Sequence, residues 1–381
     1  MEVLYIQHIR VLLYYQVYSN KTLIFPAGGE WYTYTISLLD CARRGAPTTR
    51  AARARRAAGS SVIPFSSAMA GVQEIWETNL PEPTLVLTEE QIGSFRTNGF
   101  LSVPQITTAA ELQLLRSEYD MLFETQTGRD VGRLFDLGGT DGDDEGPPAL
   151  PQLLDPQVYA PALRNTLYEA NALACAKQLI GPAAEYMLSH AICKPPRVGA
   201  ATPWHQDEAY APPEVDYGRG GGFGVVNSWM PLQDATIESG CMQFVPWVNG
   251  RQPEVLNHHH INHDPRIHGL ELDDLAQTKM AVGCPMPAGG ATFHVMRTMH
   301  YSGPNSTAEP RRAFILKFAV PGAAAPTDNP PARPWQTTAA QPSRGQERRL
   351  AAAEKGILVG AARAVLSLAG GGVGASGDAK L

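Results

Sequence analysis

Trp204-His205-Gln206-Asp207 is the first stretch of the chain whose residue types and spacing suit metal chemistry. Residues two apart in a strand point to the same face, so His205 and Asp207 can offer an imidazole and a carboxylate to one ion. That is two thirds of the two-histidine, one-carboxylate triad that holds non-haem Fe(II) and leaves three coordination positions open. A lone His-x-Asp is a weak signal, because hydrogen-bonded surface pairs of this spacing are common. A second stretch strengthens it. His300, in His300-Tyr301-Ser302-Gly303-Pro304-Asn305, can supply the third ligand, and Arg311 follows eleven residues later, beyond a Gly-Pro turn. A planar, two-pronged guanidinium on the neighbouring strand suits the distal carboxylate of a dicarboxylic co-substrate. Ser302 can add a hydroxyl to the same carboxylate.

The elements that must position these residues are short and β-like. Segments 186–192, 224–231, 240–245, 291–295 and 313–319 are punctuated by Gly and Pro, a pattern that predicts a sandwich or barrel and not a parallel α/β sheet. Two helices precede them. Thr88-Glu89-Glu90-Gln91 is a capping box with Gly99 as its stop, followed by a strand at 100–103. A second box at 108–111 opens a helix that spaces Leu112, Leu115, Tyr119 and Leu122 along one face. The acidic loop 141–145 lacks the ligand spacing of a calcium loop and reads as solvated.

At these residues the sequence resembles the phytanoyl-CoA dioxygenase family of Fe(II)/2-oxoglutarate oxygenases, over residues 85–320. Five ordered blocks carry the resemblance: LTEEQIGSFRTNGFLSVP, the Lys194-Pro195-Pro196 turn, WHQD, WMPLQDATIESGCMQFVP from Trp229, and HYSGPNSTAEPRRA. It implies a mainly β core, the double-stranded β-helix (jelly-roll, cupin-like), with flanking helices. The family's metal triad falls on His205, Asp207 and His300, and its 2-oxoglutarate arginine on Arg311 with Ser302 as assistant. Trp229 matches a tryptophan beside the co-substrate, and Lys194 is a further candidate for touching the co-substrate or an anionic substrate group. The implied chemistry consumes O2 and 2-oxoglutarate, releases succinate and CO2, and hydroxylates a C–H bond, with ascorbate as an accessory reductant. An aspartate at 207 favours hydroxylation over halogenation, since halogenases of the superfamily free that position for chloride. Two departures bear on the substrate: Trp247-Val248-Asn249 follows Pro246 where the family writes P-G-S-H, and a Gly-rich run, 219–222, lies between Asp207 and Trp229.

The leading substrate expectation is a lipid-like acyl thioester or fatty-acid derivative; the alternative is a small polar metabolite or natural product. Glu208, Glu214 and Asp216 against Arg219 in the loop after Asp207 count against the phosphates of coenzyme A. A non-catalytic jelly-roll binding protein is the reading from another class, and it has no need of His205, Asp207, His300 and Arg311 together.

The rest of the composition bounds the answer. The chain has 381 residues, 44% hydrophobic and 18% charged, with a net charge of -6. Residues 1–73 hold eight Lys and Arg against three acids, a net of +5, so the remainder carries -11. An acidic body is a poor partner for nucleic acid. No stretch reaches the ~18 apolar residues of a membrane span. Five scattered cysteines (Cys41, Cys175, Cys193, Cys241, Cys284) support neither a disulfide framework nor a zinc ribbon. The expected organisation is an extension at 1–75, an oxygenase domain at 76–321 and an Ala/Pro/Gly-rich flexible tail at 322–381, with one Ala-rich helix over 350–368. The acid-free, Arg-rich run 41–73 resembles a mitochondrial or plastid transit peptide. Ala379-Lys380-Leu381 resembles a peroxisomal address and is the favoured localisation signal, with the cytoplasm as a further alternative. The expected partner is a small-molecule substrate, and monomer or dimer is left open. His258, His259, His260, His263 and His268 read as loop-packing residues, and His190 and His294 as satisfied core histidines.

Overall fold

Two antiparallel sheets face one another across the lumen that the candidate ligands enter. The computed structural model describes residues 79–141, 146–211, 215–217 and 223–323, with shorter stretches at 21–27, 30–36 and between 325 and 352. The strands of the two sheets are β1 (Phe100–Val103), β2 (Leu134–Asp136), β3 (Pro151–Leu154), β4 (Glu185–Lys194), β5 (Thr202–His205), β6 (Val225–Pro231), β7 (Met242–Phe244), β8 (Val282–Cys284), β9 (Ala291–Val295), β10 (His300–Ser302) and β11 (Arg311–Ala319). The seven-stranded sheet has the order β1-β9-β6-β11-β4-β3-β2 and the four-stranded sheet β8-β7-β10-β5. This is the mainly β, jelly-roll architecture expected.

The large sheet is buried on both faces, and this explains its sequence. Its outer side chains, among them Val226, Met230, Phe293, Phe314, Leu316 and Phe318, share one core with helices α1 (Glu89–Asn98), α2 (Ala109–Glu124) and α3 (Leu167–Ile180). Tyr168 of α3 donates its hydroxyl to the carbonyls of Ser228 (2.9 Å) and Phe314 (3.1 Å), pinning helix to sheet. The alternate residues, Asn227, Trp229, His294, Ile315 and Lys317, point into the lumen. Strands covered on both sides read as near-continuous apolar runs, so a polar residue inside one is conspicuous.

Helices α1 and α2 start where their boxes predict. Thr88 and Gln91 cap reciprocally, Gly99 ends α1 with a left-handed φ of 79°, and Thr108 caps α2. Leu112, Leu115, Tyr119 and Leu122 are the four buried residues of α2. Helix α3 was not anticipated, although Thr166 accepts from the amide of Glu169 in the same Thr-x-x-Glu pattern.

The chain divides into the units Met1–Ile75 and Trp76–Leu381. In the first, strands Lys21–Ala27 and Glu30–Ile36 pair as an antiparallel hairpin. The run 41–73, the tripeptide 379–381 and most of 350–368 lie outside the described residues. The flexible, Ala/Pro/Gly-rich tail expected from 322 holds one fixed stretch at 333–336. Arg333 donates to the carbonyls of Glu208 (2.8 Å) and Ala211 (2.6 Å), Trp335 to that of Ala209 (3.0 Å), and Gln336 to those of Ala209 (2.7 Å) and Ala211 (2.6 Å). The segment is a strap over the turn that begins at Asp207. A solvated acidic loop is also corrected at its first residue: Asp141 is buried and accepts from the amide of Asp136 at 3.1 Å.

Trp335→Ala is expected to lower the unfolding free energy by about 3–5 kcal/mol, the usual cost of emptying a buried indole, read by denaturant titration. His268, stacked on Tyr210 and edge-on to Phe135, has its pKa lowered by burial to about 3. Between the ordinary histidine value of ~6.5 and that value, the unfolded chain binds a proton that the folded chain refuses. Stability therefore falls with acidification through this window, and His268→Phe is expected to flatten the dependence of melting temperature on pH.

Candidate functional site

Strands β5 and β10 are neighbours in the small sheet, and their register sets His205 directly opposite His300, with ring centroids 4.1 Å apart. After His205 the chain leaves the sheet: Gln206 keeps an extended backbone, φ -120° and ψ 133°, and Asp207 opens a 3₁₀ turn, Asp207–Tyr210. The i, i+2 alternation thus survives the end of the strand by one residue and delivers the carboxylate to the imidazoles. Asp207 Oδ1 lies 3.6 Å from His205 Nε2 and 3.8 Å from His300 Nε2. Two donors each ~2.0–2.2 Å from a shared ion can stand up to ~4.2 Å apart, so these separations fit one metal. Among the described residues, this trio is the one His/Cys/Asp/Glu group so placed, its ligand atoms within 4.8 Å of one another.

Both imidazoles are oriented by the same device. His205 Nδ1 donates to the Pro203 carbonyl at 2.7 Å, and His300 Nδ1 to the Thr298 carbonyl at 2.9 Å. A carbonyl only accepts, so the proton sits on Nδ1 and each Nε2 lone pair faces the metal position. Burial, reinforced by His205 and His294, holds the pKa of His300 well below the ordinary range, so the ring is neutral and ready for a cation. Burial alone would raise the carboxyl of Asp207. Lys317, His205, His294 and His300 overcome that and hold it well below the usual carboxylate range.

Arg311 begins β11 on the lumen side of the large sheet. It is 1% exposed, its guanidinium carbon stands 5.5 Å from the Trp229 ring centroid, and its Nε has no hydrogen-bond partner. Its Nη1 reaches only the Ile192 carbonyl, at a long 3.5 Å, and no carboxylate among the described residues pairs with it. A buried cation without a counter-ion is costly unless an anion arrives. Apolar Met242, Phe244, Ala313 and Ile315 pack with Trp229 in the same lumen and keep water from the path.

Two expected helpers are placed differently. The Lys194 ammonium is adjacent but donates to the carbonyls of Ala200 (2.8 Å), Ser302 (2.7 Å) and Gly303 (2.6 Å), so it ties the turn after β10 to β4 and is not offered to a co-substrate. Ser302 donates its hydroxyl to the Gly240 carbonyl at 2.9 Å, which leaves its oxygen as an acceptor only. Arg312 points away and pairs with Asp120, Nη2 to Oδ2 at 2.9 Å. The loop histidines are packed: His258 accepts the Gln206 amide (3.1 Å), His259 meets Asp273 (2.7 Å), and His260 bonds the Ile267 carbonyl (2.7 Å). His294 corrects the expectation of a satisfied core histidine, because its Nδ1 is unpartnered and its Nε2 faces Asp207 at 3.6 Å. Asn227 and Lys317, which sequence reasoning passed over, also face Asp207. Their signal was a polar residue inside an apolar strand.

The Phytanoyl-CoA dioxygenase (PhyH) family profile matches residues 95–313, more than half of the chain. The chain belongs to this family. Among solved structures it is similar to EvdO2 from Micromonospora carbonacea var. aurantiaca complexed with 2-oxoglutarate, 37% identical with a TM-score of 0.54, covering 67% of this chain and 99% of that one. Among curated proteins it is similar to one from Stutzerimonas stutzeri named "Probable alpha-ketoglutarate-dependent hypophosphite dioxygenase", 24% identical over 172 residues. That match covers 44% of this chain, which thus spans 56% of the length of the curated relative. The His/Asp/His donor set and the unpaired buried guanidinium fit the family's Fe(II) and 2-oxoglutarate.

Arg311→Ala is expected to weaken 2-oxoglutarate binding by about 2–5 kcal/mol, the cost of truncating one member of a buried charge pair. Anaerobic titration of the metal-loaded protein with 2-oxoglutarate measures it, and Arg312→Ala serves as the outward-facing control.

Proposed function

We propose that the chain is an Fe(II)- and 2-oxoglutarate-dependent dioxygenase that hydroxylates a C–H bond of a small, oxygen-bearing organic molecule. The observation that carries the reading is the convergence of two pre-oriented imidazoles, one ionised carboxylate and one counter-ion-free guanidinium on a single lumen. Bound metal supplies the redox chemistry that couples 2-oxoglutarate decarboxylation to oxidation of the substrate. The chain's part is to place the groups: His205, Asp207 and His300 hold the ion from one side, Arg311 anchors the far carboxylate of the co-substrate, and Trp229, Phe244 and Ile315 line the space between.

The substrate side favours polarity. Along β4 the lumen-facing Leu188, His190 and Ile192 stay partly accessible while Ser189 and Ala191 are buried, so the lumen is open there. Lys317 pairs with Leu188 across the sheet, and Ile315 with His190. A wall that offers the partly accessible imidazole of His190 suits hydroxyl or carbonyl oxygens better than an alkyl chain. The acyl-thioester reading draws less support. The cations packed on the turn after Asp207, Arg297 and Arg333, are both paired with buried Glu208, at 2.7 Å and 3.4 Å, and so are not offered to coenzyme A phosphates. Glu208 accordingly adds no charge to the rim, and the acidity expected of that loop is reduced.

Purified protein with Fe(II), 2-oxoglutarate and O2 is expected to release succinate slowly by itself, and His205→Ala to abolish it. A panel of polyoxygenated small molecules is expected to raise the rate where long-chain acyl-CoA thioesters do not. No succinate from the wild-type protein would favour the non-catalytic binding reading, and stimulation by acyl-CoA alone would restore the lipid one.

A further inference from the structure

The two oxygens of Asp207 live in different surroundings. Oδ1 faces the two Nε2 atoms of His205 and His300 in the small sheet. Oδ2 is turned to the large sheet, where Asn227 Nδ2 donates to it at 2.6 Å, with His294 Nε2 at 3.6 Å and Lys317 Nζ at 3.7 Å. These three side chains come from adjacent strands in register. His294 on β9 is paired with Asn227 on β6, and Asn227 with Lys317 on β11. They form one row across the lumen face, and all three are buried.

A row kept only for packing would be apolar, as its neighbour nearly is. One step along the same strands, Thr292, Trp229 and Ile315 form the next row, with a single hydroxyl among them. The polar row therefore breaks a hydrophobic sheet at the level of Asp207. His294, whose Nδ1 is unpartnered, has its bonding capacity directed through Nε2 to the same oxygen.

We infer that the row His294–Asn227–Lys317 is a positioning device that reserves Oδ2 and makes Asp207 a one-oxygen metal ligand. A carboxylate that closed on the ion with both oxygens would occupy one of the three positions a facial triad leaves open. Asn227 holds Oδ2 by a short, charge-assisted hydrogen bond. Lys317 places a positive charge beside a centre that must accept a dicarboxylate in addition to Asp207. The inference rests on the metal-binding reading of the triad, and it assigns these residues no contact with the reacting atoms.

The test is anaerobic titration of the full chain with Co(II), whose visible absorption reports coordination number as well as occupancy. Asn227→Ala frees Oδ2 to join Oδ1 on the ion, so it is expected to raise the coordination number that the Co(II) absorption reports without loosening the metal. Lys317→Met, which removes a cation from beside Oδ2, is expected to tighten Co(II) binding, and Lys317→Arg to keep the wild-type affinity. Asn227→Leu, close in size, replaces Asn227→Ala if the latter does not fold. Folded variants that bind Co(II) with wild-type affinity and an unchanged spectrum would overturn the inference. A wild-type protein that takes up no Co(II) would overturn the proposed function instead, so the two failures are told apart.

Discussion

The register between β5 and β10 is the constraint on which the rest depends. It sets His205 opposite His300, and a slip of one residue would turn one imidazole out of the lumen, because strand side chains alternate faces. Each ring is locked by a bond to the carbonyl two residues earlier, so once the register is set, the direction of both lone pairs follows. The third ligand needs no further strand. It arrives because Gln206 remains extended for one residue past the sheet before the chain turns. Gln206 is itself held, accepting the amide of Leu256 at 2.7 Å and donating to the carbonyls of Arg297 (2.8 Å) and Glu254 (3.0 Å). The metal centre is thus mainly a property of backbone pairing, with side-chain bonds as trimming.

The opposite sheet is charged with a different task. Its outer face carries the stabilising load with α1, α2 and α3, which leaves its inner face free to hold groups that contribute nothing to a hydrophobic core. Arg311 and Lys317, at the two ends of the lumen face of β11, are six residues apart on one side of one strand. A buried arginine and lysine in a mainly apolar strand are a stability cost. The helices on the far face provide the burial that offsets it.

Much of this was legible in the sequence, and the omissions have physical causes. The His205-x-Asp207 pair and both capping boxes lie in short local patterns, where spacing along the chain maps directly onto spacing in space, and His300 and Arg311 were joined to the pair by the ordered blocks of the family resemblance. Asn227, His294 and Lys317 come together only through pairing of three strands distant in sequence, so no local spacing announces them. Double-sided burial also erases the polar/apolar alternation that would have told lumen from core. Lys194 was misjudged because a lysine beside a site reads as a free cation, whereas full burial obliged it to find three carbonyls. The segment around Trp335 was overlooked because its Pro-rich, Ala-rich setting looks structureless, and only its hydrogen bonds to 208–211 show otherwise.

That last segment gives the polypeptide an order of assembly. His205, Asp207, His300 and Arg311 all precede Arg333, Trp335 and Gln336 in the chain, yet the carbonyls of Glu208, Ala209 and Ala211 take those later residues as their hydrogen-bond donors. An emerging chain therefore owns a full complement of metal-binding groups while the turn bearing one of them is still unbraced. Bracing of that turn is thus a late event in biosynthesis, reached only once the closing stretch has been made and has folded back onto residues 208–211.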